Sequence, residues 1–355
     1  MICEDKYILM KILILGLGGI GQRHLRNLRK LRGDDLEILA YDPRPDPPVL
    51  TDQLKVEEGA SLEKKYNLRI FPDIEQALAQ KPQAAFICNP TSLHVSAALR
   101  AAKAGCALFI EKPLSHDMEQ VDELIHLVES RNLAAVVGYQ MRFHPCLQRL
   151  HALVQEKKVG RILSVRADVG EYLPGWHTYE DYRQGYAARQ DLGGGVILSQ
   201  IHEFDYLYWL LGMPRRIFAL GGHLSNLEVN VEDTADILME CEMDGCPVPV
   251  SLHLDYIQNP ARRSCEIVGD AGKILVDIRA LTVKVVDGRG NSVENSSYGD
   301  FQRNQLFMDE LNHFLEGMQG MDGPLVNLRD GAISLRMALA AKESLATGKV
   351  VELER

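Results

Sequence analysis

Met10-Lys11-Ile12-Leu13-Ile14-Leu15-Gly16-Leu17-Gly18-Gly19-Ile20-Gly21-Gln22-Arg23-His24 is the stretch that decides the fold of this 355-residue chain. An apolar run at Ile12–Leu15 reads as a strand. The glycines follow it as G-x-G-x-x-G, and Ile20, His24, Leu28 and Leu31 continue on one helical face. Strand, turn and helix in that order make a weak pattern specific. Gly16 permits the tight turn, Gly18 lets the backbone approach a pyrophosphate, and Gly21 lets the helix pack close. The N–H groups that open the helix, at Gly19 and Ile20, face the same way and carry the positive end of its dipole, which suits phosphates. A glycine turn without a ligand is the plain alternative, and the flanking strand and helix weigh against it.

Working outward, Leu36–Tyr41 is a second strand. Asp42 ends it about 20 residues past the glycines, where a carboxylate holds an adenosine ribose. That charge repels a 2′-phosphate and favours NAD; Arg44 can instead pair with the phosphate, which leaves NADP open. Strands at Ala84–Cys88, Ala107–Ile110 and Ala134–Val137 alternate with amphipathic helices at Ser92–Ala104 and Asp117–Glu129. Asp117 and Gln120 stand at capping-box spacing. Strands separated by helices predict an α/β fold with a doubly wound parallel sheet.

After about Gly138 the texture changes. A helix at Pro145–Lys157 leads into a strand at Ile162–Asp168, and a helix at about Ser199–Leu211 follows an aromatic loop and a glycine run. Strands then succeed one another at Ile217–His223, Ala235–Cys241, Val248–Tyr256, Cys265–Val268, Lys273–Asp277 and Leu281–Val286. Asp244-Gly245, Asp270–Gly272 and Asp287-Gly288 supply the turns. This predicts a mostly antiparallel sheet, closed by helices at about Gln302–Glu316 and Asp330–Thr347. The expected division is a dinucleotide-binding domain at 1–138 and a substrate and oligomerisation domain at 139–355. The last helix is expected to pack back toward the first domain.

Composition narrows the function classes. Apolar residues make up 46% of the chain, enough for two cores. A net charge of −10 argues against a nucleic-acid partner. The basic cluster Arg23, Arg26, Arg29, Lys30 and Arg32 reads as a solvated helix face. No apolar run reaches the roughly 18 residues that a membrane span needs. The opening MICEDKYILMKILILG is apolar but lacks the basic start and small-residue cleavage site of a signal peptide, so it reads as a strand. Seven cysteines without metal-type spacing read as free thiols in a reducing cytoplasm, and no metal is expected.

Three further motifs sit where ligands collect, at strand ends. Cys88-Asn89-Pro90-Thr91, with His94 beyond, follows one strand, although an ordinary Asn-Pro turn reads equally well. Glu111-Lys112-Pro113 ends another strand. Lys112 there can hydrogen-bond a reacting hydroxyl and hold its developing charge, and Lys112-Pro113 is a candidate cis bond. Spacing alone also allows a surface lysine. In Gly193-Gly194-Gly195-Val196-Ile197-Leu198-Ser199-Gln200-Ile201-His202-Glu203-Phe204-Asp205, His202 and Asp205 lie at i,i+3, with Ser199 three residues before. A histidine near neutral pKa suits proton transfer from an alcohol; a satisfied core histidine is the alternative. Between these motifs lies an aromatic loop from Glu171 to Arg189. Trp176, His177, Tyr182 and Arg183 in it, with Tyr186 and Arg189, are candidates for a sugar face and an acidic group. Tyr256, with Arg262 and Arg263, is a lesser candidate.

Taken together, GLGGIGQRH at 16–24, NPTSLH at 89–94, EKPL at 111–114 and GGGVILSQIHEFD at 193–205 resemble the glucose–fructose oxidoreductase / inositol dehydrogenase (Gfo/Idh/MocA) family, nearly end to end. The ending NLRDGAISLRMALAAKESLATGK at 327–349 resembles it too. The resemblance implies a Rossmann domain and a C-terminal α/β domain with an open, mostly antiparallel sheet. It implies NAD or NADP and a sugar, polyol or nucleotide-sugar substrate. It makes Lys112 the residue that polarises the reacting group and His202 the general acid/base, and it puts an amide, Gln140, beside the nicotinamide. Many members carry an aspartate three or four residues before the histidine. Leu198 and Ser199 stand there instead, leaving Ser199, Glu203 and Asp205 as possible substitutes. The expected activity is hydride transfer at a carbinol or keto carbon by a homodimer or homotetramer. Glycoside cleavage or epimerisation without net redox, and a dinucleotide-sensing regulator, are the rivals.

Overall fold

The computed structural model describes residues 9–320 and 325–354, so the MICEDKYI stretch lies outside them. The chain groups into two compact units. The first runs to Glu111 and adds Glu119–Gly138 and Phe307–Asn327; the second holds Lys112–Met118, Tyr139–Leu306 and the chain from Leu328.

The first unit contains β1 (Met10–Leu15), α1 (Gly19–Arg32), β2 (Leu36–Tyr41), α2 (Leu62–Tyr66), β3 (Leu68–Phe71), α3 (Ile74–Leu78), β4 (Ala84–Ile87), α4 (His94–Lys103), β5 (Ala107–Glu111), α5 (Val121–Ser130) and β6 (Ala135–Gly138). Among the described residues its strands form a six-stranded sheet in the order β3-β2-β1-β4-β5-β6, with every pairing parallel. The chain leaves β1 toward β2 on one side and later returns to β4 on the other. Loops leaving the carboxyl ends of β1 and β4 therefore diverge and open a crevice, the usual ligand position in such sheets.

Fully buried Ile12, Ile14, Phe86 and Phe109 form the core, together with Leu311, Phe314 and Leu315 of the returning segment. Phe86 and Phe109 stack at 4.9 Å, and Phe314 meets both edge-on at 5.5 and 5.6 Å. This 307–327 segment groups with the first unit, and the last helix groups with the second.

The edge strand β3 escapes sequence reading because only Leu68 of its four residues is buried. The capping box expected at Asp117–Gln120 does not form: α5 starts at Val121 after Gln120 in the left-handed region (φ 59°). The basic face of α1 is not merely solvated. Arg29 donates to the carbonyls of Gly33, Leu36, Tyr66 and Asn67. Arg26 pairs with Asp52 at 2.6 Å. Together they tie the following loops to the helix.

The second unit contains α6 (Pro145–Gln155), β7 (Ile162–Gly170), α7 (Val196–Ser199), α8 (His202–Leu211), β8 (Arg216–Gly222), β9 (Thr234–Met243), β10 (Cys246–Asp255), β11 (Arg262–Gly269), β12 (Gly272–Asp277), β13 (Thr282–Asp287), β14 (Ser292–Ser297), the start of α9 (Asn304–Gly317), α10 (Leu328–Thr347) and β15 (Val351–Glu352). The sheet order is β14-β13-β12-β11-β7-β10-β9-β8-β15. Its pairings are antiparallel apart from β10 with β7. One register row, Ala219-Ile237-Leu252-Ala167-Cys265-Val276-Val283, is buried across seven strands. Helices α6, α8 and α10 pack on this unit's sheet. Leu220, Leu238 and Leu275 are exposed and point to the opposite face, as the period of two requires.

Candidate active site

In the first unit, the glycine loop has the form that a dinucleotide needs. Gly16 sits at φ 100°, and a Cβ there would lie 2.6 Å from the Cys88 carbonyl oxygen. A Cβ on Gly21 would meet the Gly16 carbonyl oxygen at 1.9 Å, whereas one on Gly18 would meet open space. So Gly16 and Gly21 are dictated by protein packing, while Gly18 leaves room for something else. Helix α1 opens at Gly18 without a side-chain cap and without an acidic residue in its first turn. Its first N–H groups, including those of Gly19 and Ile20, therefore meet no capping side chain.

Asp42, at the end of β2, accepts from Leu17 N at 2.7 Å, which ties the loop to the strand. Arg44 grips the same carboxylate through Nε at 2.8 Å and Nη2 at 2.9 Å. Burial works against the Asp42 charge, but the Arg44 and backbone hydrogen bonds hold its pKa below the usual range. In the β4 loop, His94 Nε2 bonds the Asn89 carbonyl at 2.8 Å and fixes the turn through Pro90. Buried Thr91 opens the short helix behind it. The buried Asn89 Oδ1 has no hydrogen-bond partner among the described residues. A bare helix start, open space at Gly18 and an orphaned amide oxygen fit a bound dinucleotide.

Glu111, a candidate for the cofactor by its place at a strand end, makes a contact inside the first unit. It bonds His24 Nε2 at 2.6 Å, and the His24 ring is wholly buried beside Phe86, Phe109 and Phe307. Glu111 thus locks the glycine-loop helix to the end of β5.

In the second unit, Lys112 follows as part of a cis Lys112-Pro113 bond. Its ammonium donates to the Ser199 carbonyl at 2.8 Å. Ser199 and His202 are not on one helix as expected. The chain breaks at Gln200–Ile201 between α7 and α8, and Gln200 Nε2 bonds the Asp255 carbonyl at 3.0 Å. The break presents the Ser199 carbonyl to Lys112 and starts a new helix at His202.

His202 is 6% exposed, and its Nδ1 finds no partner among the described residues. Burial, then the positive charges of Lys112, Arg263 and Arg303, pull its pKa well below the usual value. Such surroundings favour the uncharged ring over the imidazolium. Gln140 opens a short helical turn at Gln140–Phe143 and is half-buried.

The substitutes proposed for the family aspartate are committed elsewhere. Fully buried Asp205 is held by Arg142 at 3.0 and 2.8 Å. Glu203 is held by Arg263 at 2.7 and 2.9 Å. The Ser199 side chain is buried beside the Tyr256 hydroxyl. Tyr256 is itself buried, donates to the Ala187 carbonyl at 3.3 Å and meets the Trp176 ring edge-on at 5.3 Å. Several charged members of the aromatic loop are already paired, while the buried Trp176 Nε1 finds no partner among the described residues. His177 pairs with Glu180, Arg183 with Asp181 and Glu228, and Arg189 with Asp191, while Tyr182 accepts from Glu228 N. Arg183 and Arg189 therefore reach an anion only by giving up carboxylates they already hold.

Two family models match the sequence. The Gfo/Idh/MocA oxidoreductase model, described as having an NAD-binding Rossmann fold, covers residues 10–139; the model of the GFO/IDH/MocA C-terminal domain covers 147–275. The chain belongs to the Gfo/Idh/MocA oxidoreductases. It is 27% identical to myo-inositol 2-dehydrogenase of Thermotoga maritima, over 97% of this chain and 99% of that protein. It is 25% identical to scyllo-inositol 2-dehydrogenase (NAD(+)) of Bacillus subtilis, over 96% and 95%. In fold it is similar to the crystal structure of myo-inositol 2-dehydrogenase from Lactobacillus plantarum, with a TM-score of 0.77, 23% identity, and 97% and 99% coverage.

Within this Gfo/Idh/MocA chain, sequence reading passed over three contributors. His24 was assigned only to a helix face. Arg263 was ranked low although it flanks His202. Arg303, whose charge also weighs on His202, is a lone arginine in a helical stretch and carries no spacing signal.

Proposed function

We propose that this protein is an NAD(P)-dependent dehydrogenase acting on a carbinol or keto carbon of a sugar, sugar acid or nucleotide sugar. The observation that carries this is His202: buried, held neutral, with an orphaned ring nitrogen, beside a lysine tethered at the Ser199 carbonyl. A bound nicotinamide supplies the hydride acceptor or donor. Lys112 hydrogen-bonds the reacting oxygen and holds its charge as the carbonyl forms or is reduced. His202 takes the hydroxyl proton during oxidation and returns it during reduction. Because burial disfavours the imidazolium, the proton passes on readily. Gln140 is assigned to the nicotinamide amide, Asp42 to the ribose, and the α1 start, with Gly18, Gly19 and Ile20, to the phosphates.

NAD is the preferred dinucleotide in this reading. To meet a 2′-phosphate, Arg44 must leave a bidentate grip on Asp42 and expose that carboxylate to the phosphate. The buried free cysteines support a reducing cytoplasm. No helix among the described residues is long and apolar enough to cross a membrane. The exposed leucines of the open sheet face support a homodimer or homotetramer, which sedimentation tests. The names of the inositol dehydrogenases support a cyclic polyol or sugar as substrate.

The test is a fluorescence titration with NADH and NADPH, followed by turnover on inositols, aldoses, uronates and nucleotide sugars. NADH binds more tightly than NADPH, and Lys112→Ala and His202→Asn each lower kcat by about 10²- to 10⁴-fold. Binding without turnover on any member of the panel points to a regulator. Product formation without net change in NADH points to epimerisation or glycoside cleavage. Absence of dinucleotide binding overturns the proposal.

A further inference from the structure

In the second unit, His202 opens α8, and little in its own helix holds it there. Ile201 gives α8 no side-chain cap, and Glu203 N reaches the Gln200 carbonyl only at 3.4 Å. A histidine that moves protons is ordinarily aimed by a hydrogen bond on one of its ring nitrogens. His202 Nδ1 makes no such bond with a described residue, and its ring neighbour Tyr139 lies edge-on at 5.8 Å. The direction of the His202 ring therefore depends on how the first turn of α8 is fastened.

Two side chains beside it fasten that turn to the sheet. Gln200 Nε2 donates to the Asp255 carbonyl at 3.0 Å, at the end of β10. Glu203, the residue after His202, accepts from Arg263 Nε at 2.7 Å and Nη2 at 2.9 Å. The Glu203 side chain is 0% exposed and that of Arg263 is 17% exposed. Arg263 is itself fixed by main chain on both sides. It pairs with Val169 of β7, and its carbonyl accepts from Ile278 N at 3.0 Å. The path from sheet to His202 is thus short: one strand, one two-bonded fork and one peptide link.

A bidentate fork restrains rotation as well as distance, which a single bond does not. Burial raises the Glu203 pKa, and Arg263 offsets this only in part. Such a pair is a poor net source of stability, and apolar residues of similar volume would hold the fold as well. They would not orient the turn. The Arg142 pair with Asp205 differs, because Asp205 N already donates to the Ile201 carbonyl at 3.1 Å inside the helix. That turn is held without its ion pair.

We propose that Arg263 is a positioning residue for proton transfer: its fork on Glu203 fixes the first turn of α8 and so aims the His202 ring. This deepens the dehydrogenase reading and rests on it.

The experiment uses the full chain with NADH bound, as wild type, Arg263→Lys and Arg263→Met/Glu203→Leu. The double variant removes both charges and keeps apolar volume, so its stability in urea should stay near that of the wild type. Its kcat, on the substrate found by the sugar panel, is expected to fall about 10- to 100-fold with KM little changed. Arg263→Lys keeps the charge without the fork, so its kcat should lie between the two. Histidine-labelled NMR reads His202 without any substrate. Its signal, assigned by its loss in His202→Asn, should move or broaden in both variants. Wild-type kcat in the stably folded double variant overturns the proposal, and so does a lower kcat with an unchanged His202 signal. If the double variant does not fold, Arg263→Lys decides by the same two readings. A displaced His202 signal, in a protein that turns over no sugar, leaves the positioning role standing and removes the dehydrogenase reading. Turnover unchanged in both variants removes the positioning role and leaves the dehydrogenase.

Discussion

Replacing Asp205 with asparagine is expected to cost stability and not chemistry. The Asp205 side chain is 0% exposed and that of Arg142 is 4% exposed. Their fork-to-fork bonds at 3.0 and 2.8 Å are joined by Ser334 Oγ at 3.3 Å. Burial raises the Asp205 pKa, and Arg142 offsets this only in part. The ionised pair is therefore a poor net source of stability, yet removing Arg142 strands the Asp205 charge in the interior, and removing Asp205 takes from Arg142 its bidentate partner and leaves Asp330 at 3.9 Å. Such a break costs about 3–5 kcal/mol, whereas replacing both partners with apolar residues is often neutral. Asp205→Asn and Arg142→Met should each fall in or near that range, and Arg142→Met/Asp205→Leu should recover most of the loss. The assay is urea unfolding followed by tryptophan fluorescence. Trp209 stacks on His151 at 4.0 Å and lies 5.7 Å from the Arg142 guanidinium, so it reports this region. Activity per folded molecule should remain. Single losses below about 1 kcal/mol, the range of surface pairs, would show that the charges are not desolvated as described. Two single costs that simply add in the double variant would show that they do not interact. Loss of kcat from fully folded Asp205→Asn would return Asp205 to the catalytic set.

The glycine loop gives a paired prediction. Gly18→Ala has open space and φ −72°, so thermal unfolding should stay the same or rise while NADH affinity falls. Gly21→Ala drives a methyl group into the Gly16 carbonyl, so both the melting temperature and NADH binding should drop; equal behaviour of the two variants would refute the assignment. His253 lies 2.9 Å from Asp255 and 2.8 Å from Asp236, and these carboxylates raise its pKa to about 9 against the cost of burial. A raised histidine pKa contributes stability that is fully present below about 6.5 and is lost as pH rises through about 9. Melting temperatures measured from pH 6 to 10 should fall across that window in the wild type and less so in His253→Gln; parallel curves would remove the histidine as the cause.

Much of the first unit was legible because its information is local. The period of the apolar runs, the glycine spacing and Asp42 at a strand end each fall within about 20 residues, the reach of one βαβ turn. Lys112 and His202 were legible by motif, and the turns at Asp244-Gly245 and Asp287-Gly288 by residue type. Tertiary structure decided what those groups touch. Glu111 turned to His24, 87 residues away. Asp205 went to Arg142, 63 residues away, and Glu203 to Arg263, 60 residues away. A charge in the interior takes whichever opposite charge the packing brings near, and sequence separation carries no record of that choice. The short strand β3 was invisible because one buried side chain in four makes no period.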